Sequence, residues 1–166
     1  MSVVRPLTGG VISDFEMTQE ILRQFLKRLA KGSTFAYYQN AVVGVPADLT
    51  EVERKSVEDA VIGAGVSQAY VIEAALASAL GARLPVSEPV ANMIIDIGGG
   101  TTEIAIISMG GAVTMRSLKV GGDRFNEDIV KFVRDEFQLI IGEPTAEQIK
   151  IELGTALPVN EKLELS

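Results

Sequence analysis

The chain contains no cysteine, no histidine and no tryptophan, and aromatic residues make up only 5% of its 166 residues. Without cysteine it has no disulfide framework and no thiolate metal site. Without histidine it has no Ser-His-Asp or Cys-His catalytic centre, no typical zinc site and no imidazole base. The chemistry left to the chain is that of carboxylates, lysine and bound water, and its core is predicted to be aliphatic.

An excess of positive charge and long apolar runs are absent as well. Lysine and arginine number 15 against 22 aspartate and glutamate residues, and the net charge of −7 argues against nucleic acid as the main partner. No apolar run reaches the roughly 18 residues of a spanning helix, and no signal peptide is predicted. With 47% hydrophobic residues, the chain is predicted to be a folded protein of the reducing cytoplasm.

The most informative segment is a glycine-rich run between two apolar stretches. It reads Asp96-Ile97-Gly98-Gly99-Gly100-Thr101-Thr102-Glu103, after Met93 to Ile95 and before Ile104 to Ile107. Glycines can take positive φ, let a ligand approach the backbone, and present consecutive N–H groups to an anion. An aspartate in front can hold a hydrated Mg²⁺ beside the same phosphates. The pattern predicts a phosphate-binding hairpin; the alternative, a glycine-rich turn without a ligand, is disfavoured by the aspartate and the paired threonines.

The hydrophobic pattern divides the chain into two parts. The first alternates strands and helices: a hairpin around Thr8-Gly9-Gly10, a helix over about 14–30 opened by a capping box at Ser13, a strand over 41–45, a helix opened by a second capping box at Thr50, a strand over 69–72 and an alanine-rich helix over 74–82. The second begins with three strands, 93–97, 102–109 and 112–120, followed by helices over 124–137 and 145–156, with Asp123 as a helix cap. The change predicts a boundary near residues 83–92.

These segments resemble the MreB family of bacterial actin homologues, within the actin and sugar-kinase ATPase superfamily. The matching segments follow the family order: Val4 to Leu7 with Gly10 to Ile12, Val43 to Pro46 with Thr50 to Arg54, Asp96 to Glu103, Val120 to Asp123, and Gly142 to Glu152. The resemblance implies an α/β, actin-like ATPase fold built on ribonuclease-H-like lobes and incomplete at both ends. Residues 1–88 would form a first-lobe segment without the first phosphate loop, and residues 89–166 the start of the second lobe.

The resemblance also implies a cytoskeletal filament protein involved in rod cell shape, with Mg-ATP bound between its lobes. Asp96 would order the waters of the metal, and Gly98, Gly99, Gly100, Thr101 and Thr102 would hold the phosphates. The segment Glu147-Gln148-Ile149-Lys150 would face the adenosine. From spacing alone, Glu147 and Lys150 are more simply an ordinary surface ion pair; only their position after the phosphate hairpin favours contact with a ligand.

One departure from the family concerns hydrolysis. The family carries a water-orienting glutamate in a Glu-Pro pair at the start of a small-residue helix, and that pair falls on Ala74-Ala75. Glu73 stands one position earlier, although adjacent helical residues point about 100° apart. It is either a displaced substitute or a solvated carboxylate at the positive end of the helix dipole. With the first phosphate loop missing as well, we expect weak ATP binding and impaired hydrolysis.

An aromatic segment between the first helix and the next strand suggests a membrane contact. Phe35, Tyr37 and Tyr38 follow the basic residues Lys27, Arg28 and Lys31 in a predicted loop. Exposed aromatics beside basic residues suit a bilayer interface, and the resemblance implies docking on the inner face of the cytoplasmic membrane. The alternative is that Phe35 and Tyr38 pack on the core.

The partners implied by the resemblance are further copies of the chain or full-length MreB in filaments, together with proteins of cell-wall synthesis and morphogenesis. A different class of function stays open. The chain could be a truncated paralogue that binds no nucleotide and acts as an interaction module on full-length filaments.

Overall fold

The computed structural model describes residues 5–30 and 38–157. Their seven strands and five helices are, in chain order, β1 (Leu7–Thr8), β2 (Val11–Ile12), α1 (Phe15–Leu29), β3 (Tyr38–Val45), α2 (Glu51–Ala64), β4 (Val66–Glu73), α3 (Ala74–Gly81), β5 (Asn92–Ile97), β6 (Thr102–Ser108), β7 (Gly111–Leu118), α4 (Gly122–Phe137) and α5 (Glu143–Leu153).

The strands form three separate sheets. β1 and β2 make a small antiparallel hairpin, and its turn residues Gly9 and Gly10 have φ of 56° and 79°, a region that favours glycine. β3 and β4 are parallel, joined by α2. β5, β6 and β7 form an antiparallel meander with β6 in the centre. The predicted change from alternating elements to a three-strand meander is confirmed.

The first two long helices show how caps fix helix starts. Thr50 caps α2 with the predicted capping box, because its Oγ1 accepts from Glu53 N at 3.3 Å and its own N donates to Glu53 Oε2 at 2.7 Å. The capping box predicted at Ser13 is wrong. Asp14 caps α1 instead, accepting from Met17 N at 2.9 Å. The backbone N–H of Ser13 donates to Pro6 O at the base of the β1–β2 hairpin, so the helix begins one residue later.

The core lies between α3 and the three-strand sheet. Ala75 and Ala79 on α3 are at most 1% exposed and pack with Val86, Ala105 and Ile107. Alanines on this face let the helix approach the sheet closely. α3 therefore belongs by sequence to the predicted segment 1–88 and packs on strands of the segment 89–166; the boundary between the two stays a prediction.

α4 and α5 form a helical pair after the sheet, and both begin earlier than predicted. Gly121 is the N-cap of α4, so the prediction that Asp123 caps this helix is wrong; Asp123 lies inside the first turn. The reason is tertiary, because Gly122 N and Asp123 N donate to Gly98 O and Gly99 O. α5 begins at Glu143, with Pro144 in its first turn.

The outer face of the meander carries apolar side chains that no described element covers. Met93, Ile95 and Ile97 on β5 are 53–61% exposed. They alternate with inward-facing residues such as Ile94, as expected for a pleated strand. None of the helices in the described ranges combines the length and the apolar character needed to cross a bilayer.

Candidate functional site

The loop between β5 and β6 has the form of the predicted phosphate hairpin. The strands pair up to Ile97 and Thr102, and Gly98 N donates to Thr101 O at 2.8 Å to close the loop. Within the described residues, no backbone carbonyl accepts from the N–H groups of Gly99, Gly100 and Thr101. Three consecutive amides are thus available to an anion.

The glycines of this loop are needed for close approach. None of Gly98, Gly99 and Gly100 lies in the left-handed region, so their backbone angles alone do not require glycine. A Cβ on Gly100 would lie 3.0 Å from Gly9 Cα, and one on Gly121 would lie 2.5 Å from the carbonyl oxygens of Gly98 and Gly99. We call the meeting of Gly9-Gly10, Gly98 to Gly100 and Gly121-Gly122 the glycine junction.

A cavity of about 430 Å³, here called the phosphate cavity, opens beside the glycine junction. Five of the predicted site residues line it, namely Asp96, Gly98, Gly99, Gly100 and Thr101, and their binding roles stay predictions. Thr102 is not among the lining residues, because its Oγ1 donates to Val120 O at 2.7 Å. Asp96 Oδ2 accepts from Ser78 Oγ on α3 at 2.5 Å, which fixes the carboxylate at the edge of the cavity.

The two residues considered for water activation are placed differently. Ala74 lines the phosphate cavity and brings only a methyl group to it. Glu73 lies outside the lining, at the N-cap of α3, where Arg54 Nη2 holds its Oε1 at 3.3 Å. The side chain of Glu73 is partly exposed and is paired with Arg54 of α2. Its catalytic role stays a prediction.

The predicted adenosine residues belong to a hydrogen-bonded group between α4 and α5. Lys150 Nζ donates to Glu147 Oε2 at 2.8 Å and to Gly122 O at 3.2 Å, and Asn126 Nδ2 donates to the same Glu147 oxygen at 2.7 Å. The two residues thus differ from an isolated surface pair. Gln148 is exposed and donates to Glu152, whereas Ile149 is half-buried.

Hydrogen bonds to Glu147 lower the pKa of its carboxyl group. The hydrogen bonds from Asn126 and then from Lys150 lower the pKa of Glu147. Glu147 is therefore a carboxylate at neutral pH, and its contacts are lost only as pH falls through that lowered pKa. Arg5 donates to Glu143 and lies 3.8 Å from Asp123 Oδ1; the hydrogen bond with Glu143 raises the pKa of Arg5. Arg5, Asp123 and Glu147 line a second cavity, here called the nucleoside cavity.

Several residues at or next to these cavities were not predicted as site residues from the sequence. Asp123 lines both cavities although no ligand contact was predicted for it. Glu103 is only 3% exposed, accepts from Ser117 Oγ at 2.7 Å and lines the phosphate cavity. Its signal was available in the sequence, because in β6 it lies on the same face as Ala105 and Ile107 and is a charged residue on an otherwise apolar face. Ser78 and Asn126 gave no such signal.

The aromatic segment is described only in part. Phe35 and Tyr37 lie outside the described residues. Tyr38 is the first residue of β3, so its assignment to a loop is wrong. Its OH donates to Leu26 O of α1 at 2.9 Å, which agrees with the alternative that this ring folds back onto the protein.

Comparison with known proteins identifies the family. The family model described as MreB/Mbl protein matches residues 1–166. The cell shape-determining protein MreB of Haemophilus influenzae is 48% identical over 92% of the chain, and that of Escherichia coli strain K12 is 43% identical over 99%. The chain spans 44% and 48% of those two relatives, about half of their length.

The fold is shared with solved structures of the same family. MreB5 of Spiroplasma citri bound to ADP superposes with a TM-score of 0.86 at 36% identity, over 95% of this chain and 46% of that one. The same protein bound to AMPPNP gives a TM-score of 0.86 at 37% identity, with 95% and 47% covered. The described elements thus form part of an actin-like ATPase fold, as predicted. The chain belongs to the MreB/Mbl family of bacterial actin homologues.

Proposed function

We propose that this chain acts in rod cell-shape determination as an MreB-like cytoskeletal filament protein, and that it binds ATP at the glycine junction. The observation that carries the proposal is the row of free amides at Gly99, Gly100 and Thr101 beside the phosphate cavity. Backbone N–H groups that converge on one point bind phosphate oxygens without a side chain. The relative from Spiroplasma citri, bound to ADP and to AMPPNP, supports a nucleotide as the ligand.

The two cavities suit the two ends of a nucleotide. The β- and γ-phosphates would lie in the phosphate cavity, and the adenosine would lie in the nucleoside cavity, toward Glu147 and its partner Lys150. Asp123 lines both cavities and would stand between the two ends. The cations Arg5, Lys119 and Arg124 lie around a third opening at the glycine junction and favour an anionic ligand there.

Magnesium would be bound through water. Within the described ranges, no group of three or more acidic side chains is placed to bind a metal directly. Mg²⁺ in nucleotide sites keeps several waters and takes its remaining ligands from phosphates and one or two carboxylates. Asp96, held by Ser78, would be the carboxylate that accepts hydrogen bonds from those waters.

Hydrolysis is proposed to be impaired. Ala74 lines the phosphate cavity where the family resemblance implies a water-orienting glutamate, and a methyl group can neither accept a hydrogen bond nor polarise water. The cytoplasmic location, self-association into filaments, contact with cell-wall synthesis proteins and docking on the inner membrane face are further parts of the proposal, supported by family membership.

A calorimetric titration tests nucleotide binding. AMPPNP with Mg²⁺ is expected to bind the chain saturably, and Gly99→Ala is expected to weaken binding roughly tenfold, about 1.4 kcal/mol. A methyl at Gly99 would lie 3.6 Å from Asp123 Oδ2, an ordinary contact, and would take up space in the cavity while the fold is kept. Gly111→Ala is the matched control, because a Cβ there meets no atom within 4 Å.

Two outcomes would contradict the proposal. Equal affinity of the wild type and Gly99→Ala for AMPPNP would show that the phosphates do not bind at the glycine junction. Absence of binding, together with co-sedimentation of the chain with full-length MreB filaments, would support the interaction module instead. The uncovered apolar face of β5 is the surface that favours this second function.

A further inference from the structure

A buried amide contacts Glu147, one of the residues that line the nucleoside cavity. Asn126 on α4 is 3% exposed, one of three buried polar or charged residues in the part of the chain that the structure describes. Its neighbours Asp123 and Glu127 on the same helix are exposed. A buried side chain of this type is normally satisfied on both of its polar atoms.

The amide of Asn126 is satisfied on one side only. Its Nδ2 donates to Glu147 Oε2 at 2.7 Å, and within the described residues its Oδ1 is the buried side-chain atom without a hydrogen-bond partner. A carboxylate can only accept, so Glu147 fixes which end of the amide faces it. Leaving a buried carbonyl unpaired is unfavourable. The local structure keeps the contact with Glu147 in spite of that cost, which points to a function of the contact.

Asn126 is also joined to the phosphate hairpin through the first turn of α4. Gly122 N donates to Gly98 O at 2.9 Å, and Gly122 O accepts from Lys150 Nζ at 3.2 Å. Lys150 in turn shares Glu147 Oε2 with Asn126. The first turn of α4 therefore contacts the hairpin through the N–H of Gly122. The same turn contacts Glu147 through the Asn126 side chain and Lys150 through the carbonyl oxygen of Gly122.

We propose that Asn126 is a positioning residue, which orients Glu147, and through it Lys150, for the nucleoside end of the ligand. The inference rests on the proposed nucleotide binding and extends it to a residue that contacts Glu147. Asn126 acts through Glu147, and its contact sets the distance between the nucleoside residues and the phosphate hairpin.

Other charged groups around Glu147 do not replace this contact. Lys150 and Glu143 face it from α5, Asp123 from α4, and Arg5 from the segment before β1. Lys150 uses the same carboxylate oxygen, and Arg5 is engaged by Glu143. The hydrogen bond from Asn126 is the largest cause of the lowered pKa of Glu147.

Substitution by an apolar side chain of similar size tests the role. Asn126→Leu is expected to weaken the binding of AMPPNP roughly tenfold, the effect of losing a hydrogen bond to a charged group. Binding of inorganic triphosphate is expected to stay within about twofold of wild type, a ratio too small to reflect a lost hydrogen bond. Asp128→Asn on the exposed face of α4 is the control. If Asn126→Leu does not fold, Asn126→Ser removes the amide without adding apolar bulk.

A double-mutant cycle separates positioning from a general structural effect. If Asn126 acts through Glu147, Asn126→Leu has no further effect on AMPPNP affinity in a Glu147→Ala background. Additive losses of affinity in the two single variants and the double variant would overturn the proposal, since Asn126 would then act independently of Glu147.

The titration of Glu147 gives a readout that needs no nucleotide. In Asn126→Leu, carbon-detected NMR is expected to find the pKa of Glu147 raised toward its ordinary value, because the hydrogen bond that lowers it most is lost. An unchanged pKa of Glu147 would contradict the hydrogen bond from Asn126 to Glu147, and with it the proposal. Failure of the wild type to bind AMPPNP, with the pKa of Glu147 raised in the variant, would contradict the nucleotide proposal and leave the contact between Asn126 and Glu147 established.

Discussion

Ala74 and Ser78 stand one helical turn apart on α3, and both are directed toward the phosphate hairpin. Ala74 lines the cavity, and Ser78 donates to Asp96. The helix thus supports the carboxylate that is expected to order metal-bound water, and it brings a methyl group to the cavity at position 74. At the scale of residues, this arrangement supports the proposal that the site binds nucleotide and hydrolyses it slowly.

This arrangement predicts a gain of hydrolysis from one substitution. The wild type is expected to release phosphate from Mg-ATP no faster than Asp96→Ala, and Ala74→Glu is expected to raise the rate tenfold or more, at the low end of the roughly 10²–10⁴ range of a positioned base. A malachite-green assay measures the rate. Ala74→Leu, which is also larger than alanine but cannot accept a hydrogen bond, is the control; equal rates in the two variants would show that position 74 does not activate water.

The residues of the site differ in how far sequence could predict them. Asp96 and the glycines after it form a local pattern, and the structure brings them to one cavity. Ser78 and Asn126 have their roles through partners 18 and 21 positions away, which no local pattern encodes. The close approach of Gly98 to Gly100 to Gly9 and Gly121 could not be predicted for the same reason, because it joins segments that are far apart in the sequence.

At the scale of elements, the start of α4 is fixed by contacts outside the helix. Its first turn is fixed by the hydrogen bonds to the hairpin, and Gly121 has no room for a side chain. Gly121→Ala is expected to destabilise the protein by about 1–3 kcal/mol, as for other overpacked sites, and to weaken AMPPNP binding. Urea unfolding and calorimetry measure the two effects.

The control for Gly121→Ala is Gly81→Ala at the end of α3, where a Cβ meets nothing within 4 Å. It is expected to leave both stability and affinity close to wild type. If Gly121→Ala behaved like Gly81→Ala, the contact between α4 and the hairpin would not constrain the site.

Element types could be predicted from periodicity, whereas several element starts could not. The capping box at Thr50 is local and was predicted correctly. Ser13 was assigned wrongly because the start of α1 depends on hydrogen bonds to Pro6. Asp123 was assigned wrongly because the start of α4 depends on Gly98 and Gly99. Tyr38 was assigned wrongly because the start of β3 depends on pairing with β4. Each of these contacts is made outside the segment that was used for prediction.

For the molecule as a whole, the main consequence of the fold is the outer face of the meander, which none of the elements in residues 5–30 and 38–157 covers. Ile95 is 53% exposed there, while Ile107 on the inner face is fully buried. Ile95→Thr is expected to reduce dye binding and self-association and to change stability by only about 0.5 kcal/mol. Sedimentation velocity and fluorescence of a hydrophobic dye measure these effects. Ile107→Thr is the contrast, since it is expected to destabilise the core.

The glycine junction has a mechanical consequence. Three backbone segments meet there without side chains, so no rotamer change can absorb a displacement of the hairpin. A shift of Gly98 to Gly100 must pass directly to Gly9-Gly10, and from there to α1 through the bonds at Pro6, and to Gly121 and α4 on the other side. A ligand that displaces the hairpin is therefore expected to shift the starts of both α1 and α4 through contacts between main-chain atoms.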